Sequence, residues 1–168
     1  SFVGADTDAY RLVNGDGDGL SGLVIDRYAE VAVIQLLTAG ADRMRDGLVA
    51  ALSARGRLRA IVERSQGGVR RQEGLADRTG IITGDAPSEV VATESGIKFT
   101  VDLTHGQKTG AFLDQRENRA IVRRIATGAR VLDACCYGGG FSLAALAGGA
   151  RRVVAIDTSQ RALAAARC

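Results

Sequence analysis

The chain has no tryptophan, one proline and one histidine, and its aromatic residues amount to 4% of the total. It also lacks any run approaching the roughly 18 uninterrupted apolar residues that a membrane span needs. The opening residues SFVGADTDAYR do not show the basic-then-apolar order of a secretory signal. A cytoplasmic protein with no membrane partner is the expectation. The three cysteines, Cys135, Cys136 and Cys168, are odd in number, and none has the paired spacing of a zinc site. They read as small thiols. A single histidine, His105, cannot build a metal cluster and reads as a surface or packing residue. Asn14, Asp16, Asp18 and Gly19 follow the spacing of a calcium loop, but Ile25 stands where the closing bidentate acid belongs. No metal is expected. Internal repeats and low-complexity tracts are missing as well, which removes solenoid architectures.

What is present is a globular composition, 46% apolar and 24% charged over 168 residues, enough for one ordinary domain or two small ones. The net charge is +3 and the basic residues are nearly all arginine, since Lys98 and Lys108 are the only lysines. Arginine suits phosphate because its planar fork donates two parallel hydrogen bonds. A charge this small is equally that of an arginine-rich composition with no nucleic-acid partner.

Two strand-like runs in RLVNGDGDGLSGLVIDRY are joined by a loop rich in Gly and Asp, which is turn chemistry. VAVIQLL is a third strand. Met44, Leu48, Val49 and Leu52 then recur at helical spacing, with Asp42 near the start. After a break at Gly56, LRAIVER, IITG, EVVATE and IKFTVDL predict further strands, so residues 11 to about 100 form a small α+β unit. The polar loop GQKTGAFLDQRENR leads into a helix marked by Leu113, Ile121, Val122 and Ile125 and ended by Gly128. Strand VLDACC, glycine cluster YGGG, helix FSLAALA, strand RVVAID and a helix from Ser159 complete a strand–helix–strand–helix series. Its strands are continuously apolar, as in a parallel sheet covered on both faces. Such a sheet needs more than two strands, so a further C-terminal part of the domain is expected beyond Cys168.

The strand–glycine–helix junction at Gly138, Gly139 and Gly140 leaves backbone N–H groups free and lets a ligand approach closely. Asp157, at the end of the second strand, is placed to accept both hydroxyls of an adenosine ribose. The dinucleotide fingerprint would require glycine where Leu143 stands, which disfavours a nicotinamide cofactor. S-adenosylmethionine, which carries no phosphate, needs only the glycine turn and the acid.

The strings GQKTGAFLDQRENR and VLDACCYGGGFSLAALAGGARRVVAIDTSQRALAAAR, with RLVNGDGDGLSGLVIDRY and VRRQEGL before them, resemble the class I large-subunit (23S) rRNA methyltransferases of the cytosine-5 type. The resemblance covers nearly the whole chain. It implies an α/β protein: a small α+β central domain over residues 1–100, which positions RNA, then the first half of a Rossmann-like class I methyltransferase domain over 101–168. Family members carry an RNA-binding PUA domain before these. S-adenosylmethionine is the implied cofactor and large-subunit rRNA the implied partner. Carried over by position, Asp133 and Gly138–Gly140 hold the methionine part and Asp157 the ribose. Gln107 to Arg116 wall the pocket, with Asp114, Gln115 and Arg116 nearest. In charge terms, Arg116 or free N–H groups suit the methionine carboxylate, and Asp133 or Asp114 its ammonium.

The chain departs from the family pattern where Cys135-Cys136-Tyr137-Gly138-Gly139-Gly140 replaces the usual Phe-Cys-Tyr-Thr-Gly-Gly, which preserves backbone access. Methylation at cytosine carbon 5 requires a thiolate to attack carbon 6, and the family supplies it late in the domain, after an Asp-Pro-Pro loop absent here. Cys135 and Cys136 lie under the donor, so no catalytic residue is nominated. Arg119, Arg123 and Arg124 read as a solvated helix face, and Arg70 and Arg71 as phosphate contacts. A guanine-modifying rRNA methyltransferase, a nicotinamide-dependent oxidoreductase and a non-catalytic RNA-binding fragment are the alternatives.

Overall fold

The computed structural model describes residues 4–55 and 57–166. The expected break at Gly56 and the third cysteine, Cys168, lie outside the described residues. Five strands, β1 (Ala9–Asn14), β2 (Leu23–Tyr28), β3 (Val31–Leu36), β4 (Ala60–Ser65) and β5 (Arg78–Gly84), form one sheet in the order β1-β2-β3-β4-β5. Only β3 and β4 run parallel, with Val31 opposite Ala60. The alternation of side chains sorts the apolar residues into two layers. Leu23, Ile25, Ile34, Leu36 and Ile61 face helices α1 (Ala39–Arg43) and α2 (Arg45–Ala54), whereas Tyr28, Val31, Val33 and Val62 face Ala92, Val101, Leu103 and Leu113. Each fully buried large aliphatic side chain contributes about 1.5–3 kcal/mol of transfer free energy, so the sheet is the stable platform of the chain.

The stretch read as a single helix is two, broken at Met44, which ends α1 and lies exposed. Thr38 caps α1 by accepting a hydrogen bond from Ala41 N–H at 3.3 Å. Asp42, on α1, binds Arg70 at 2.7 Å, on helix α3 (Gly68–Gln72), and Arg78 on β5. Burial pushes the Asp42 carboxyl up, but the two arginines outweigh it and hold it below the ordinary carboxylate value. Arg70 is only 2% exposed and also donates to the carbonyls of Ala76 at 2.5 Å and Leu36 at 2.6 Å. It is a strut of the fold rather than the phosphate contact expected from sequence, because its side chain is buried and its Nε and Nη1 donate inside the protein. Arg71 is exposed, 3.5 Å from Asp77.

A hairpin, β6 (Glu89–Glu94) and β7 (Ile97–Asp102), ties this sheet to the remainder of the chain. On one side Asp8 N–H donates to Thr93 O at 2.9 Å, Thr93 N–H to Asp8 Oδ1 at 2.6 Å, and Ser95 N–H to Thr7 Oγ1 at 2.9 Å. On the other, helix α4 (Arg116–Ile125) sends Arg119 to Glu94 through two bonds of 2.7 Å and Arg123 to the Ser95 carbonyl at 2.9 Å. Arg119 is therefore not part of a solvated face: it is largely buried because Glu94 and the Phe112 carbonyl occupy its donors. Arg124 is exposed.

Strands β8 (Arg130–Ala134) and β9 (Arg152–Ile156) are parallel, with Leu132 opposite Val154, and helix α5 (Gly140–Ala147) packs across one side of them. Helix α6 (Gln160–Ala165) follows, capped by Ser159, whose Oγ accepts from Ala162 N–H at 3.2 Å. The strand–helix–strand–helix order matches the expectation, as does the parallel pairing. The other side of the pair carries Leu132, Val154 and Ile156, all exposed. Gly148, at the end of α5, abuts α4 so closely that a methyl group there would overlap the Arg123 carbonyl.

Candidate functional site

The polypeptide leaves β8 through a turn in which φ alternates in sign. Cys135 (61°), Tyr137 (48°) and Gly139 (75°) are left-handed, and the residues between them are not. Two of the three are not glycine, and a side chain in that region costs energy that the surroundings must hold in place. Alternating handedness turns successive N–H groups toward one side, forming a concave nest that suits an anionic group. The N–H groups of Gly138, Gly140 and Phe141 have no hydrogen-bond partner among the described residues, and no atom lies within 4 Å of where a Cβ on Gly138 would sit. The glycine cluster thus offers free donors and open space at the start of α5.

Asp157 closes the turn from β9. Its Oδ2 accepts Tyr137 N–H at 2.8 Å and its Oδ1 accepts Ser159 N–H at 2.8 Å. A carboxylate has about four acceptor sites, so acceptor capacity remains for an outside donor. The backbone bonds from Ser159 and Tyr137 hold this carboxyl below the ordinary carboxylate value. A depressed folded pKa gives stability that is complete above the unfolded value of about 3.9 and is lost as pH falls through the folded one. We expect the carboxyl carbon of Asp157 to titrate by NMR with a midpoint below that of a free aspartate. A midpoint at or above it would mean the two bonds are not made in solution.

Asp133 is used differently. Its Oδ2 accepts from both Ser142 N–H (3.0 Å) and Ser142 Oγ–H (2.6 Å), clamping β8 to α5, while Oδ1 has no partner among the described residues. Cys136 is buried, and its thiol is pushed up by burial and then by the Asp133 and Asp157 carboxylates, which keeps it in the unreactive protonated form.

The polar loop before α4 supplies the facing wall. Tyr137 reaches across to it, accepting Gln107 N–H at 2.8 Å and donating to the Gly110 carbonyl at 3.2 Å, and its ring meets Phe112 edge to face at 5.4 Å. Lys108 Nζ sits 4.5 Å from the centre of the Phe112 ring and 3.6 Å from Asp114. Burial pushes the Asp114 carboxyl up, but bonds from Gln115 and Lys108 bring it below the ordinary range. A cavity of about 560 Å³ opens between this wall and the turn, and Gln115, Arg116, Gly138 and Gly140 all line it. Among the described residues Arg116 Nε meets only Glu117, at 3.4 Å on the surface, so its guanidinium is available to a ligand. Gln107 is exposed and Gly139 is the N-cap of α5; neither they nor Asp114, Asp133 and Asp157 line the cavity. His105 is exposed, 3.8 Å from Asp102. Sequence reasoning did not single out Tyr137 or Thr109. Tyr137 carries a legible signal, an aromatic immediately before a glycine run.

The cavity falls within the roughly 300–1,000 Å³ of small-molecule sites. The turn and Arg116 offer it unpaired N–H groups and a guanidinium for a carboxylate; Asp157, bonded to the turn at Tyr137 but off the lining, is a carboxylate with acceptor capacity left for a diol. The residues fit an amino-acid-bearing nucleoside, and together with the parallel β–α–β unit they define a Rossmann-like nucleoside-binding protein. The profile of the S-adenosylmethionine-dependent methyltransferases matches residues 74–168, and the chain belongs to that family. It is 49% identical over 160 residues to ribosomal RNA large subunit methyltransferase I of Aeromonas hydrophila, covering 94% of this chain and 40% of that protein. A Streptococcus mutans protein assigned to the SAM-dependent methyltransferases superimposes with a TM-score of 0.83 at 31% identity, over 98% of this chain and 42% of its own. A methyltransferase structure complexed with SAH matches with the same TM-score of 0.83 and identity of 31%, over the same 98% and 42%. The chain spans about 40% of the length of the curated relatives it matches.

Proposed function

We propose that the protein binds S-adenosylmethionine across the ends of β8 and β9 and transfers its methyl group to a base of large-subunit rRNA, with carbon 5 of cytosine as the target. The observation that carries this reading is the bond from Tyr137 N–H to Asp157, which brings the anion-binding turn and the diol-accepting carboxylate to one mouth. The name of the Aeromonas hydrophila relative supports the rRNA substrate, and the motif resemblance supports cytosine. A role on ribosomal RNA places the protein in the cytoplasm.

When bound, the donor supplies a methyl group made electrophilic by its sulfonium. The chain's own part is to bind and orient. Asp157 accepts the ribose hydroxyls, while the Gly138–Gly140 turn and Arg116 take the methionine carboxylate. Asp133, through its free Oδ1, and Asp114 are the acids for the ammonium, and Gln107 and Gln115 complete the wall. Holding the donor in line with the base replaces a bimolecular encounter by a prearranged one, which is where binding energy becomes rate. Residues 101–168 are assigned to this donor site and residues 1–100 to positioning of the RNA. Attack on carbon 6 of cytosine needs a thiolate; the buried, protonated Cys136 does not provide one, and we assign no nucleophile.

Calorimetric titration with S-adenosylhomocysteine and, separately, NAD tests the donor site: binding of the first alone is expected, and binding of NAD alone would refute it. For the target, large-subunit rRNA carrying tritium on carbon 5 of cytosine should release the label during methyl transfer. Methylation without release would move the target to another position.

A further inference from the structure

The loop that walls the cavity is held from its far side by the five-stranded sheet. Thr109 is fully buried, and its Oγ–H donates to Asp26 Oδ2 at 2.5 Å. Asp26, itself fully buried on β2, is gripped through both oxygens by Arg11 of β1, at 2.8 and 3.0 Å. Since the Thr109 proton is committed to a carboxylate that can only accept, Tyr28 Oη, 2.9 Å from Thr109 Oγ1, must be the donor to it. Burial, and then the neighbouring Asp26 charge, push the Tyr28 hydroxyl far above its ordinary value, so it keeps that proton. Tyr28 Oη in turn accepts Ala111 N–H at 3.1 Å. Three donors thus point one way: the Ala111 amide to Tyr28, Tyr28 to Thr109, Thr109 to the Asp26 carboxylate held by Arg11. A directed chain of this kind polarises each of its members and leaves the loop a single arrangement.

The opposite side of the same loop is the one held by Tyr137, through Gln107 N–H and the Gly110 carbonyl. Between the two tyrosines the backbone has no slack. Gly106 and Gly110 are buried, and a methyl on Gly106 would meet the Asp102 carbonyl, Gly110 Cα and Tyr137 Oη. Phe112, Gln115 and Arg116 follow directly, and all three line the cavity.

We propose that Tyr28 and Asp26 of the central sheet, acting on Thr109 of the loop, are with it positioning residues for donor binding: touching no ligand, they fix the Gln107–Ala111 loop and thereby place Gln115 and Arg116 over the glycine turn. The sheet assigned to RNA positioning then also sets affinity for the methyl donor. This inference rests on the reading of the cavity as the donor site.

The test uses the protein with Tyr28→Phe, Thr109→Val and Thr109→Ser, with S-adenosylhomocysteine as the probe and amide hydrogen exchange alongside. Tyr28→Phe and Thr109→Val preserve shape and remove a hydroxyl; Thr109→Ser preserves the hydroxyl. Measured well below each variant's melting temperature, the dissociation constant should rise about tenfold in the first two, the loss of roughly one buried hydrogen bond, and return to within about twofold in the third. Exchange at the Ala111 amide should quicken in the first two only. Lowered melting temperatures with unchanged affinity would make the chain purely structural and overturn the proposal. If the unmodified protein binds no S-adenosylhomocysteine, the donor-site reading fails, and the exchange data alone then decide the clamp: unchanged protection of Ala111 in both hydroxyl-deleted variants would refute that as well.

Discussion

Replacing Asp157 with alanine is expected to weaken binding of S-adenosylhomocysteine by about 10- to 100-fold, the scale of losing charged hydrogen bonds to a diol. The change removes the acceptor proposed for the ribose and also the bonds from Tyr137 and Ser159, so it relaxes the turn whose free N–H groups are proposed to take the methionine end. Asp157→Asn separates the two effects. An amide oxygen still serves one backbone N–H, but the charge is gone and the second oxygen has become a donor. Its affinity should therefore lie between those of the alanine variant and the unmodified protein. Calorimetry reads all three, with circular dichroism to establish that the variants are folded. Unchanged affinity in the alanine variant would remove Asp157 from the site.

Glu94→Ala should destabilise the protein by about 3 kcal/mol in urea unfolding, toward the lower end for a buried pair that loses one partner. The reason is Arg119, whose side chain is 13% exposed and would keep its charge while losing two bonds of 2.7 Å. A residual bond to the Phe112 carbonyl and the remaining solvent contact keep the loss from being larger. A loss under about 1 kcal/mol would place the pair among surface ion pairs, which contribute little.

The strands were legible because the apolar runs are short, β-branched and bounded by Gly, Asp and Ser. The chain around the turn was legible too: strand VLDACC, the glycines, and an acid closing RVVAID state a local geometry within one β–α–β unit. Handedness at Cys135 and Tyr137 was not, since neither residue type announces a positive φ and the conformation is enforced by bonds to Asp157 and the facing loop. Arg70 read as a phosphate contact and Arg119 as part of a solvated helix face because the residues that absorb them, Asp42 and Glu94, are 28 and 25 positions away. The Asp26–Thr109–Tyr28 chain spans more than 80 positions, and no periodicity records it. Met44 followed the helical stripe, yet it lies exposed where α1 ends and α2 begins, beside an Asp42 held by Arg70 and Arg78 from distant parts of the chain.

The hairpin of β6 and β7 also has a kinetic meaning. Its own pairing is local, from Glu94 opposite Ile97 outward, and hairpins of that kind close within about 1–10 μs. Its docking is not local: Thr93 joins Asp8 across 85 positions and Ser95 joins Thr7 across 88. Closing so long a loop spends chain entropy before the contacts repay it, which slows folding in proportion to sequence separation. The seam between the central sheet and α4 is thus expected to form late, and the cavity wall, held between Tyr28 and Tyr137, to acquire its shape only when that seam has closed.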